Sequence, residues 1–404
     1  MSGDARPGLL SVEAALAQLL ALAEQAPILD RETLPLAEAQ GRVLAEPLVA
    51  GLDLPPWPNS AMDGYALRLA DWQGEPLRVS QRILAGQAPE PLEPGSCARI
   101  FTGAPLPEGA DCVEMQENTE VLADGRVRFL APLKAGQNVR PRGQEARLGE
   151  QVLDAGTRLG PVQLGLCASL GAARLVVRRR PRVAVLSTGD ELVEPGQPLG
   201  PGQIYNSNRR LLGSWLERLG CTVVDAGILP DDLARTRARL AELGDVDLIL
   251  SSGGVSVGEA DFLGKVLREE GELMLWKLAI KPGKPLTVGH YQSVPVIGLP
   301  GNPASTLVTF ALLARPYLLR RLGVAKVTPL RFPVPAGFAW NRAGSRREYL
   351  RARLELGRAV LYPNQSSGVL RSVSWADGLV EIPEGRTLVE GEAVDFIPLS
   401  ELLV

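Results

Sequence analysis

The rhythm of apolar and polar positions changes several times along the chain, and each change marks a candidate boundary. Ser11 can cap a first helix, with Glu13 in its first turn and Leu16, Leu19, Leu20 and Ala23 on one face. From Gly51 onward, stretches such as "DLPPWPNS" and "GAPLPEGAD" carry proline at a density that precludes long helices. They predict a small, mostly β domain over 51–148. A helical pattern returns in "GPVQLGLCASLGA" and stops before Pro181. The spacing predicts one helical N-terminal domain built from 1–50 and 149–180, with the β domain inserted into it.

After Pro181 short apolar runs alternate with amphipathic ones. "RVAVLSTGDEL", "CTVVDAGIL", "DVDLIL" and "VPVIGLPG" read as buried strands. Between the first two, Leu211, Leu212, Trp215, Leu216 and Leu219 form a helical face closed by Gly220. Further helices open at Asp231-Asp232, after Asp261 and near Pro303. This alternation predicts a doubly wound α/β sheet over 181–327. "WKLAIKPGKPL" reads as one more strand, with Lys277, Ala279 and Lys281 on one face and Leu278 and Ile280 opposite; His290 reads as a turn residue. In "YLRARLEL", Leu350, Ala352, Leu354 and Leu356 alternate with polar positions, predicting a half-buried strand in a C-terminal β domain over 328–404.

Composition narrows the function. The 404 residues carry a net charge of -3 and only 5% aromatics, which argues against a nucleic-acid surface or an anionic membrane as partner. No stretch approaches the ~20 apolar residues of a membrane span. The start, with Asp4 and no continuous apolar run, does not read as a signal peptide, so a cytoplasmic protein is expected. Four separated cysteines, without a CxxC pair, read as reduced thiols. The single histidine cannot build a multi-histidine zinc site, nor readily a Ser-His-Asp triad. Chemistry must rest on carboxylates, lysines, arginines and backbone amides.

Those groups gather at strand ends. Ser187-Thr188-Gly189-Asp190-Glu191, Pro230-Asp231-Asp232, Ser251 to Asp261, and Leu299 to Pro303 each follow a predicted strand. Any one of them is most simply a turn and helix cap. Four at one edge of a doubly wound sheet lie where such folds bind ligands. Glu191, Asp231 and Asp261 can share a hard cation, and Mg²⁺ accepts one or two carboxylates together with phosphate oxygens. In "SSGGVSVGEADF", Gly253, Gly254 and Ser256 are candidate phosphate contacts, with Ser187 and Thr188 beside them. Lys277, Lys281 and Lys284 suit a small oxyanion, because an ammonium is a compact charge. The inserted domain adds Asn59, Ser60 and Asp63, then Thr102, then Arg140, Arg142 and Glu145. It contains no dinucleotide fingerprint.

In this order, "NSAMDGYA", "IFTGAPLPEGAD", "STGDEL", "GQIYNSN", "SSGGVSVGEADF", "WKLAIKPGKP" and "GLPGNPAS" resemble the molybdopterin molybdenumtransferases of the MoeA and gephyrin E-domain type over essentially the whole chain. The resemblance implies an elongated, L-shaped homodimer of four-domain subunits, whose sheet domain is like molybdopterin adenylyltransferase. It implies insertion of molybdate into adenylylated molybdopterin with Mg²⁺ and release of AMP. Molybdopterin adenylyltransferase and recipient molybdoenzymes would be pathway partners. By position, Asp63, Thr102 and Arg140 would face Glu191, Asp231, Asp261, Lys277, Lys281, Pro300 and Pro303 of the other subunit. Ser366 and Ser372, and more weakly Arg347, resemble the C-terminal contribution. Glu145 stands where the family usually has aspartate, and Trp57-Pro58 replaces a Phe-Asp or Phe-Asn pair. ATP-dependent adenylylation of molybdopterin, or a gephyrin-like scaffold, are the alternatives.

Overall fold

The computed structural model describes residues 8–254 and 261–402. At its centre are β1 (Arg182–Thr188), β2 (Thr222–Leu229), β3 (Leu248–Ser252), β4 (Gly271–Lys277), β5 (Pro285–Tyr291) and β6 (Val294–Leu299), in the spatial order β2-β1-β3-β6-β5-β4. β2, β1, β3 and β6 are parallel, as the strand–helix alternation requires. Both faces of β1 are covered. Val183 and Val185 join one core, Ala184 and Leu186 the other, which explains a continuous apolar run instead of alternation.

The other edge departs from the expected sheet. β5 is antiparallel to β6, and β4 antiparallel to β5. β4 therefore points the same way as the parallel strands, and its last residue, Lys277, reaches their common C-terminal rim. His290 lies within β5, and the turn falls at Gln292, with a positive φ of 52°.

The lysine segment is a second correction. It is no single strand: β4 stops at Lys277, and Ile280–Lys281 pairs in parallel with Arg347–Glu348 of the C-terminal sheet. Between the two sheets, Leu278 and Ala279 are both buried, held by Leu10, whose N–H donates to Lys277 O and whose O accepts from Ala279 N–H. Apolar surroundings at this junction override the period-2 pattern.

The strand Arg347–Glu355 is buried on both faces rather than one. Leu350 and Ala352 enter the C-terminal core, while Tyr349 packs into the core that covers the central sheet. Arg351, predicted to face solvent, is 1% exposed, whereas Leu356, predicted to face inward, is fully exposed with a φ of 49°.

The expectation that the two helical segments form one unit also fails. The helix Pro161–Ser169 supplies Cys167 to a small core with the paired strands Arg31–Pro35 and Arg174–Arg178. The N-terminal helix Val12–Gln25, capped by Ser11 as predicted, instead sends Val12, Ala15, Leu19 and Ala23 into the central sheet's core, against the helix Arg315–Arg321. An amphipathic face specifies burial but not the partner. Leu19→Ala is expected to lower global stability by about 2–5 kcal/mol, as for other fully buried leucines. A urea titration followed by the Trp215 and Trp276 fluorescence of that core checks it.

The inserted region is mostly β. Gly64–Leu67 is flanked by Ser96–Ile100 and Cys112–Met115, with Arg78–Ile83 at the edge. The connecting strands Leu48–Val49 and Gln151–Leu153 pair antiparallel where the chain leaves and re-enters. The four cysteines are buried and unpaired, and burial pushes the Cys97 and Cys221 thiols up to about 12. Among the described residues no helix is long and apolar enough to cross a membrane.

Candidate active site

The rim carries two adjoining clefts. The first, of about 760 Å³, lies between the β3 and β6 turns, the Lys277–Pro285 segment and the C-terminal domain. Lys277, Lys281, Lys284 and Arg346 line it, and no carboxylate is among its described lining residues. Such a cleft attracts an oxyanion. The second, of about 590 Å³, is lined by Thr188, Glu191, Asn206, Asn208 and Pro303. Gly253, Gly301 and Asn302 line both, so the clefts share a wall. Both are of a size that takes a small-molecule substrate.

That wall is built by close packing. Gly253 and Gly254 have φ of 91° and 64°, and a Cβ at either would sit 3.0 and 2.9 Å from Thr188 Oγ1. Glycine is required here for both reasons. The Gly253 N–H donates to Leu299 O at 3.1 Å, so it is not free for phosphate as the sequence suggested. Pro300 is fixed through its carbonyl, which accepts from Thr306 Oγ1 at 2.6 Å. Asn208 Nδ2 donates to Ser252 Oγ and Gly301 O at 2.7 and 2.6 Å, tying the β3 end to the β6 turn. Ser256 lies outside the described residues.

The three carboxylates expected to hold a metal do not meet: among the described residues no group of three acidic, histidine or cysteine side chains is placed to hold an ion. Asp261 is 5% exposed and caps the helix Phe262–Glu270, with Oδ1 accepting from Gly264 N–H at 2.8 Å; burial raises its pKa. Helix capping explains its place in the sequence without a metal. Asp231 does lie near Glu191. Its pKa is raised, first by burial and then by the charges of Asp190 and Glu191. Ser187 is fully buried beneath the rim, its hydroxyl donating to Asn206 Oδ1 at 3.2 Å.

The C-terminal wall was only partly foreseen. Ser366 lines the cationic cleft together with Gln365 and Ser367. Ser372 does not: it is fully buried, and its Oγ accepts from Arg351 Nε at 3.1 Å. Arg351 also donates to Ser366 O at 3.1 Å, and its backbone N–H and O clasp the Gln365 amide at 2.9 Å each. Burial lowers the guanidinium pKa to about 10. Arg351 thus holds the loop that forms the wall. Strand alternation had hidden it among solvent-facing positions. Arg347 instead joins Glu13 of the N-terminal helix to Glu381 and Glu384.

A separate cluster sits on the inserted domain. Thr102 donates its N–H and hydroxyl to Asp63 Oδ1 at 2.7 and 2.8 Å, which holds the Asp63 carboxyl below its usual range. Ser60 is fully buried with its hydroxyl on Met62 O. Arg140 lies opposite Asn59 in an antiparallel strand pair, and the buried Asn59 Oδ1 has no hydrogen-bond partner among the described residues. Glu145 is exposed, its N–H donating to Leu54 O. None of these residues lines either rim cleft.

Three family regions match in succession: the MoeA N-terminal region (domains I and II) at residues 10–171, a probable molybdopterin binding domain at 184–320, and the MoeA C-terminal region (domain IV) at 333–399. A molybdopterin molybdenumtransferase of Haemophilus influenzae is 46% identical over 295 residues, covering 72% of this chain and 73% of that protein. One from Nostoc is 38% identical over 379 residues, covering 89% and 86%. A molybdopterin biosynthesis MoeA protein from Pyrococcus horikoshii superposes with a TM-score of 0.82 at 29% identity, over 96% of this chain and 100% of that one. The same order of regions, and identity sustained over most of two relatives, place this chain in the molybdopterin molybdenumtransferase family.

Proposed function

We propose that this chain is a molybdopterin molybdenumtransferase of molybdenum cofactor biosynthesis, which inserts molybdate into adenylylated molybdopterin and releases AMP. The observation that carries this reading is the pair of unlike clefts with a common glycine-lined wall. Molybdate is a small dianion, and the Lys277, Lys281, Lys284 and Arg346 charges suit it. The neighbouring cleft, lined with amides, hydroxyls and Glu191, suits the nucleotide end of the other substrate. Pro300 and Pro303 stiffen the turn between them, so both reactants are held in a fixed relation.

Glu191 and Asp231 are the carboxylate pair that would hold one Mg²⁺ shared with substrate phosphate: burial first, and then the Asp190 and Glu191 charges, raise the Asp231 pKa, and a cation would relieve that repulsion. When bound, Mg²⁺ would neutralise charge on the leaving phosphate. No side chain need act as covalent nucleophile: an oxygen of molybdate can attack the molybdopterin phosphorus of the phosphoanhydride, forming a new P–O bond as the bond to AMP breaks and AMP leaves. The subunit is proposed to work as a homodimer, with Asp63, Thr102 and Arg140 completing the site of its partner.

The test is AMP release from adenylylated molybdopterin by the purified protein with Mg²⁺. Release is expected only when molybdate is present. Consumption of ATP in place of molybdate-dependent release would move the assignment to adenylylation.

A further inference from the structure

Behind Lys281, and outside every role described so far, lies one buried carboxylate. Glu348 is 5% exposed, yet its Oε2 stands 2.9 Å from Lys281 Nζ, while the Lys281 side chain is 47% exposed toward the cleft. The parallel pairing of Ile280–Lys281 with Arg347–Glu348 sets the two residues directly opposite each other. The contact is an ion pair without hydrogen-bond alignment, and Glu348 Oε2 has no hydrogen-bond partner among the described residues. On the other side, a Cβ at Gly344 would come within 2.9 Å of Glu348 Oε1, so this glycine leaves the space in which the carboxylate sits.

Isolated carboxylates are costly to bury, and a surface lysine needs no buried counter-ion. A reason for this one follows from its position. An anion held by Lys281 in the cationic cleft feels the Glu348 charge through the ammonium, and the repulsion grows with the anion's own charge. We propose that Glu348 is a charge-setting residue for the oxyanion: paired with Lys281 at the cleft wall, it weakens the grip on a dianion so that binding stays reversible. This rests on the reading of the cleft as the molybdate site.

The experiment is calorimetric titration of the full-length protein and of Glu348→Gln with two tetrahedral probes of like size, tungstate (dianion) and perrhenate (monoanion). Removing one negative charge is expected to tighten tungstate by about tenfold or more and perrhenate by about the square root of that factor, because the interaction scales with charge. Weaker or unchanged tungstate binding overturns the proposal, as does an equal gain for both anions, which would signal a reshaped cleft. If Glu348→Gln fails to fold, Glu348→Asp decides: it withdraws the charge by one methylene, so the same ranking is expected with smaller gains, and a loss overturns the proposal. Failure of the underlying reading looks different: wild-type protein binds no tungstate, or binds it equally well after Lys277→Met.

Discussion

Lys277→Met and Lys281→Met should each cut molybdate-dependent AMP release by about 100-fold, the scale seen when a preorganised charge-stabilising group is removed. Methionine keeps most of the apolar stem and removes only the ammonium. Lys277 ends β4 at the rim and Lys281 ends the short strand Ile280–Lys281 of the C-terminal sheet, so the two charges approach the cleft from different sheets. Their losses should therefore appear as a raised KM for molybdate before any change in nucleotide affinity. Steady-state assays at varied molybdate, beside a thermal unfolding curve for each variant, check this. An unaltered KM for molybdate in both variants would remove the oxyanion from this cleft.

Mixing two inactive proteins should restore activity. Asp63 and Thr102 form their own cluster on the inserted domain and touch neither rim cleft of the same chain. If the partner subunit supplies them, Asp63→Ala and Lys277→Met each disable every site of their own homodimer. After co-expression at equal levels, half the dimers are mixed and each keeps one intact site, giving about a quarter of wild-type activity. No recovery in dimers shown by mass spectrometry to be mixed would place both groups in the same subunit's site.

The central sheet was legible because short, continuous apolar runs alternate with amphipathic helical stretches, and that alternation leaves one parallel solution at the rim. Four polar strand-end loops could thus be assigned to one edge from Ser187, Asp231, Ser251 and Pro300 alone. What the pattern missed depends on partners distant in sequence. Leu278 and Ala279 are buried by Leu10, so the lysine strand breaks in two. Arg351 is drawn inside by Ser366, Ser372 and Gln365. Asp261 looks like a metal ligand in sequence, and its described contacts are a helix-cap hydrogen bond and an ion pair with Arg268. A carboxylate before a helix has the same spelling in both roles.

The helix Val12–Gln25 leaves the ribosome long before its partner helix, Arg315–Arg321, is made. At typical elongation rates of roughly 5–20 residues per second, that wait is on the order of tens of seconds. Throughout it Leu19 and Ala23 have no native surface to cover, so the nascent chain displays a sticky amphipathic segment while the intervening domains condense. Vectorial synthesis thus leaves the central core open until Arg321 has been made, and a chaperone that recognises short apolar helices would find its target in the Val12–Gln25 segment.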